Sequence, residues 1–132
     1  MKNEKVEFGG LKMENKSMYE VVMNDFKQVY SFEVKGDEVV GPKIKFPKAV
    51  YDRVQAFNTT EAFYNGWTYY GIMQLILGKL KKEECWFHPA IHEERVSLKP
   101  SEEFKRWFDE HHTLGPVLIM LALVYGNYEL ED

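Results

Sequence analysis

The sequence predicts an α+β fold that is mainly α: about four helices around an apolar C-terminal helix, with a small β-hairpin near the N-terminus. Three observations lead there. Leu114–Tyr125 is an almost uncharged run that stops at Gly126. It is too apolar to leave in water and too short to cross a bilayer, so it reads as a core helix. Apolar residues upstream of it recur at steps of three and four, the helical spacing. Finally, β-branched and aromatic residues flank Lys35-Gly36-Asp37-Glu38, as in a hairpin turn.

Taken in order, residues 1–18 are polar around Gly9-Gly10 and read as a loosely organised start with one short strand near Val6–Phe8. Tyr19, Val22, Met23 and Phe26 fit the i, i+3, i+4, i+7 pattern of a short helix. Val29, Tyr30, Phe32 and Val34 read as one strand and Val39-Val40 as its partner. Pro47 suits the first turn of a helix, where its missing N–H goes unused, and Val50, Val54 and Phe57 mark a helix over 47–57. Asn58-Thr59-Thr60 closes it and offers a threonine cap for the next. Residues 61–82 read as helical, with a break at Asn65-Gly66. Two apolar stripes there, Phe63/Trp67/Tyr70/Gln74/Leu77 and Tyr69/Met73/Ile76/Leu80, predict burial on much of the circumference. The basic end, Lys79, Lys81 and Lys82, suits the negative pole of the helix dipole.

Residues 83–100, with Pro89 and Pro100, read as an irregular connection. Ser101 before Glu102-Glu103 is a helix start. Phe104, Trp107, Phe108 and His111 share one face of the helix that follows. Gly115-Pro116 turns the chain into the last helix, and Gly126 caps it.

The 132 residues predict one globular domain, 1–132, with a core that needs no disulfide. The single cysteine, Cys85, makes no intrachain bridge and fits a reducing compartment. Met1–Lys5 is charged with no apolar run behind it, which reads as no secretory signal. The expected location is the cytoplasm of a bacterial host cell, away from membranes.

The formal charge of −4 is unevenly spread. Residues 1–82 hold 13 Lys/Arg and 10 Asp/Glu, whereas residues 83–132 hold 4 and 11. An acidic second half repels phosphates, which argues against direct nucleic-acid binding and favours a basic protein partner.

Metal chemistry has one candidate, Cys85-x2-His88-x3-His92 with His111-His112 downstream. Cys85, His88, His92 and His112 are the donors a zinc tetrahedron would draw on. Pro89 breaks any helix aligning His88 with His92, and a chain with this much apolar material has no need of a structural metal. The expectation is therefore no metal and no cofactor, with Cys85 half-buried in a surface loop. His111 is expected to pack near a helix C-terminus, because no partner that would make it a general base is evident. Cys85 paired with His88 or His112 lacks any oxyanion signature, so no catalytic residue is assigned. No glycine pattern cradles phosphate. The stripes 63–70 and 104–108 are expected in the core. The doublets Glu83-Glu84 and Glu93-Glu94, with Glu129, Glu131 and Asp132, are the acids expected to meet a partner. Glu102-Glu103 reads as a solvated helix start.

Val39–Val50 reads as a strand opening into a helix, and Trp107-Phe108 lies upstream of Leu121–Glu131. The terminal pattern, apolar-Ala-x-x-Tyr-Gly-x-x-x-Glu, resembles short accessory proteins of unknown function encoded by phages and prophages of Gram-positive bacteria. The resemblance covers the last two-thirds of the chain, excluding 59–100. It implies a non-enzymatic protein that docks on a host protein, including inhibitors of nucleic-acid enzymes or defence nucleases of the anti-CRISPR kind. The alternatives are a Cys/His metal protein or small hydrolase, and a homo-oligomeric structural protein whose surplus aromatics cover a subunit interface.

Overall fold

The computed structural model describes residues 7–8, 11–12 and 17–131. In chain order the elements are β1 (Glu7–Phe8), β2 (Leu11–Lys12), α1 (Met18–Val29), β3 (Glu33–Lys35), β4 (Glu38–Val40), β5 (Ile44–Phe46), α2 (Lys48–Phe57), α3 (Thr60–Tyr64), α4 (Tyr69–Ile76), α5 (Lys82–Cys85), α6 (Pro89–His92), α7 (Glu102–Glu110), α8 (Gly115–Tyr125) and β6 (Tyr128–Leu130). The fold is α+β and mainly helical. Among the described residues there are eight helical segments where about four were expected. Residues 61–82 split in two, and 83–100 hold two single turns. Val6 and Gly9-Gly10 lie outside the described residues.

Local chemistry sets most helix boundaries. Ser17 and Glu20 form a capping box at α1. Helix α1 then runs through Val29, with Tyr30 as its C-cap, so these two residues end a helix rather than start a strand. The hairpin begins only at Glu33, with Val34 opposite Val39 and Lys35 opposite Glu38. Thr59, Thr68 and Ser101 cap α3, α4 and α7 through their hydroxyl oxygens. Gly126 ends α8 with φ +69°, a left-handed conformation that a side chain would strain.

The core gathers β5, α2, α4, α7 and α8. Ile44, Phe46, Val50, Val54 and Phe57 meet Ile72, Leu75, Ile76, Phe104 and Trp107, and α8 adds Leu118, Ile119, Ala122 and Leu123. Helix α8 lies against α4 and α1. It is not covered all round, because Val117, Val124 and Tyr125 are exposed.

After α8 the chain forms a short strand, which the sequence reading does not foresee. β6 pairs in parallel with β5, Ile44 opposite Tyr128 and Phe46 opposite Leu130. The Ile44 N–H donates to the Asn127 carbonyl, the Glu131 N–H donates to the Phe46 carbonyl, and the Asn127 amide donates to the Gly41 carbonyl. A three-residue strand whose partner lies so far away in the chain leaves no periodic trace in the sequence.

Gly41 is buried beneath Tyr125, and a Cβ there would land on the Cβ and Cγ of that ring. Those atoms sit at the root of the side chain and cannot swing aside. Gly41→Ala is therefore expected to destabilise the fold by about 1–3 kcal/mol. Urea unfolding of the variant beside the parent checks this.

Candidate interaction surface

The segment 61–71 departs from the expected buried stripes. The break predicted at Asn65-Gly66 is real, and Gly66 has φ +89°. Thr68 starts a new helix after it, so α3 and α4 do not share one helical phase. Ala62, Ile72, Leu75 and Ile76 turn inward, and Phe63, Tyr64, Tyr69 and Tyr70 are left at the surface. Tyr64 is 86% exposed and Tyr70 64%. Phe63 and Tyr69 meet edge to face at 4.9 Å. The other stripe is as expected, with Phe104 and Trp107 buried and Phe108 packed against the core.

Facing this segment is the stretch expected to be irregular. Glu84 accepts the Lys81 N–H through Oε1 at 2.9 Å, which starts α5. His88 then N-caps α6, with Pro89 in its first turn, so the proline that was expected to break a helix begins one. Between the two turns Trp86 and Phe87 project outward, 46% and 57% exposed, with ring centroids 4.1 Å apart. His92 lies 5.8 Å from Trp86. Asn65, Trp86, Phe87 and His92 line a depression of about 310 Å³. A second, of about 290 Å³, continues it past Gly66, Trp67 and Thr68 to Glu84. Residues 61–78 and 83–94 together carry five acids, Glu61, Glu83, Glu84, Glu93 and Glu94, and no Lys or Arg. The result is a groove with aromatic walls and one acid, Glu84, in its lining, with Lys81, Lys82 and Arg95 just outside these stretches.

The acids nominated from sequence therefore separate. Glu83, Glu84, Glu93 and Glu94 flank the groove in sequence and are exposed, although Glu93 also pairs with Arg95 at 2.9 Å. Glu129 sits on β6 against Lys43 (3.3 Å) and Lys45 (3.9 Å), so its charge is locally answered. Glu131 ties its backbone to Phe46, and Asp132 lies outside the described residues.

The Cys/His candidates do not converge. Cys85 is fully buried rather than half-buried in a loop, and its Sγ–H points to the Lys81 carbonyl at 3.2 Å. Burial, with Glu84 and Glu83 nearby, pushes its thiol pKa up, which is opposite to what a nucleophile needs. His88 is buried with both nitrogens engaged: Nδ1 accepts the Ala90 N–H at 3.1 Å, so Nε2–H donates to the Phe57 carbonyl at 2.9 Å. That pattern requires the neutral ring, and burial lowers its pKa. His92 stands in the groove beside Trp86, and His112 Nδ1 faces the Asp109 carbonyl at the surface. Among the described residues no three His, Cys, Asp or Glu side chains are grouped to hold a metal. Cys85 is expected to resist a thiol reagent such as Ellman's while the protein is folded and to react fully once it is denatured. Rapid labelling of the native protein would contradict its placement.

His111 does have a partner that sequence did not reveal. Its Nδ1 lies 2.7 Å from the carboxylate of Asp25, which is 2% exposed, and its ring stacks on Trp107 at 4.8 Å. Asp25 and His111 are 86 positions apart. An Asp–His pair can orient an imidazole for proton transfer. The pair joins α1 to the end of α7.

Arg53 was not singled out from sequence either. It is 7% exposed and its guanidinium donates to the carbonyls of Leu75, Ile76, Ser97 and Leu98. It lies over the rings of Phe57 and Phe104. Burial pushes its pKa down to about 10, so it remains charged at neutral pH. The cation at the C-terminal pole of α4 is thus Arg53 from α2, whereas Lys79, Lys81 and Lys82 lie beyond the helix end.

No described helix is long and apolar enough to cross a membrane. No protein-family model matches the sequence, and no curated protein and no solved structure matches it.

Proposed function

We propose that this chain is a non-enzymatic protein-binding module that docks on a basic protein through an acidic surface. In the sharpest form of this reading it is a phage-encoded inhibitor of a host nucleic-acid enzyme or defence nuclease, anti-CRISPR-like, acting in the bacterial cytoplasm. The observation that carries it is the groove between residues 65–71 and 84–92. There large aromatic side chains stay in water beside Glu84, in a lining that holds no Lys or Arg, while Lys81, Lys82 and Arg95 stand just outside it. Exposed aromatics of this size are the residues that dominate protein interfaces, and local acidic charge steers the encounter. Capture from a bacterial lysate on immobilised protein tests this. The expected catch is basic, nucleic-acid-associated and released by raised salt. A catch with no such protein at low salt removes the reading.

A second reading, homo-oligomerisation, is favoured by the β3–β4 hairpin. Val34 is 73% exposed and Val39 56%, and the two stand opposite each other on a ribbon that has no third strand among the described residues. Such a ribbon is a template for pairing with a second copy. Light scattering across a concentration series separates the readings, because a strictly monomeric mass ends the second one. The Cys/His metal or hydrolase alternative is not carried forward, since Cys85 and His88 are each committed to backbone partners.

A further inference from the structure

We infer that the groove walled by Trp86 and Phe87 is an arginine receptor, taking an arginine side chain from an exposed basic segment of the protein partner. This deepens the proposed function and rests on it. The argument starts from the rings. Trp86 and Phe87 occupy adjacent positions between two short helical turns, their planes are inclined by 36°, and both are about half exposed. Both rings stay about half in water while their neighbours Cys85 and His88 supply the inward contacts of that stretch. Aromatic faces attract cations, and a planar guanidinium stacks on them as an ammonium does not.

The polar groups around the rings fit the same ligand. The Asn65 side chain borders both depressions and carries a carbonyl acceptor. Glu84 lies at the far end of the second depression. Its Oε1 is held by the Lys81 N–H, which fixes the carboxylate, and its other oxygen has no hydrogen-bond partner among the described residues. An arginine lying over the rings can therefore stack and donate from the edge of its guanidinium at once. A lysine satisfies the charge alone. A nucleic acid is disfavoured, since its phosphates would meet Glu84 in a groove lining that holds no Lys or Arg.

The test uses the full chain and two probes, acetylated hexa-arginine and acetylated hexa-lysine peptides, titrated by calorimetry and followed on the tryptophan indole NMR signals. The parent protein is expected to bind hexa-arginine about tenfold more tightly than hexa-lysine. Trp86→Ala with Phe87→Ala changes only exposed side chains and is expected to erase that preference without lowering the melting temperature. Replacing Glu83, Glu84, Glu93 and Glu94 by Gln is expected to weaken both peptides. Equal binding of the two peptides, or unchanged arginine preference in the Trp86/Phe87 variant, overturns the receptor. If binding then still falls in the glutamine variant, the acidic docking reading survives it. Absence of binding to either peptide also overturns the receptor, and the lysate capture then decides the docking reading independently.

Discussion

Arg53→Met is expected to lower the free energy of unfolding by about 2–4 kcal/mol, the cost of leaving buried backbone carbonyls without a charged donor. The side chain joins parts of the molecule that otherwise share little covalent order. From α2 it reaches Leu75 and Ile76 at the end of α4, and Ser97 and Leu98 before α7. Methionine fills much of the same volume beside Phe57 and Phe104 but donates no hydrogen bond. Four carbonyls lose a donor, two of them on the buried residues Leu75 and Ile76, although the Leu75 carbonyl keeps the Gly78 N–H. Arg53→Lys tests whether charge or shape matters. Its three donors diverge from one nitrogen and cannot serve carbonyls on two separate stretches, so it is expected to lose about half as much. Guanidinium unfolding of both variants provides the measurement. A loss below about 1 kcal/mol for Arg53→Met would mean that the four carbonyls find other partners.

His88→Ala is expected to destabilise by about 2–4 kcal/mol, combining a cavity in the core with two unanswered backbone groups. The ring lies edge-on to both Phe57 and Trp67 at 5.3 Å and holds the start of α6 to the end of α2. His88→Asn can keep the cap on Ala90 but cannot reach the Phe57 carbonyl, so an intermediate loss is expected. The histidine also makes stability depend on pH. Burial holds its folded pKa below the ordinary 6.5, outweighing the Phe57 carbonyl that favours the proton, and Arg95 acts in the same direction as burial. Its contribution is complete above that ordinary value. As the pH falls below it, the unfolded chain takes up a proton that the folded chain refuses, and stability drops towards the lower folded pKa. Melting temperatures of parent and His88→Asn, followed from neutral to mildly acid pH, should converge as the pH falls. A constant gap would show that the ring is protonated in both states alike.

What the sequence revealed depended on how far apart the interacting residues lie. The ends of α2, α7 and α8 were legible because Pro47, Ser101 and Gly126 act within one turn of themselves. The exposure of Phe63, Tyr64, Tyr69 and Tyr70 is not legible in the sequence, because the break at Asn65-Gly66 resets the helical phase on which each apolar stripe depends. Arg53 could have been found, since it stands three residues after Val50 and four before Phe57 and so shares their apolar face. A charge there needs partners, and the C-terminal carbonyls of a neighbouring helix can serve. Asp25 and His111 left no such mark, because neither position says anything about the other until α1 docks. His88 has the spacing of a metal donor, but its meaning is local, a side chain capping the turn that Pro89 begins. The groove itself combines two stretches, one expected to be buried and the other irregular. Only their juxtaposition turns Trp86 and Phe87 into a surface.

The parallel pairing of β5 with β6 bears on how the molecule comes into being. Ile44 and Phe46 emerge from the ribosome about eighty residues before the strand that closes over them, a delay on the order of ten seconds at ordinary synthesis rates. Throughout that interval two of the most deeply apolar side chains have no permanent neighbour on that edge. The nascent chain is therefore open to chaperones and to misassociation until translation has passed Leu130. Any fusion or truncation that hinders those closing residues would act on the yield of folded protein before it altered anything the finished molecule does.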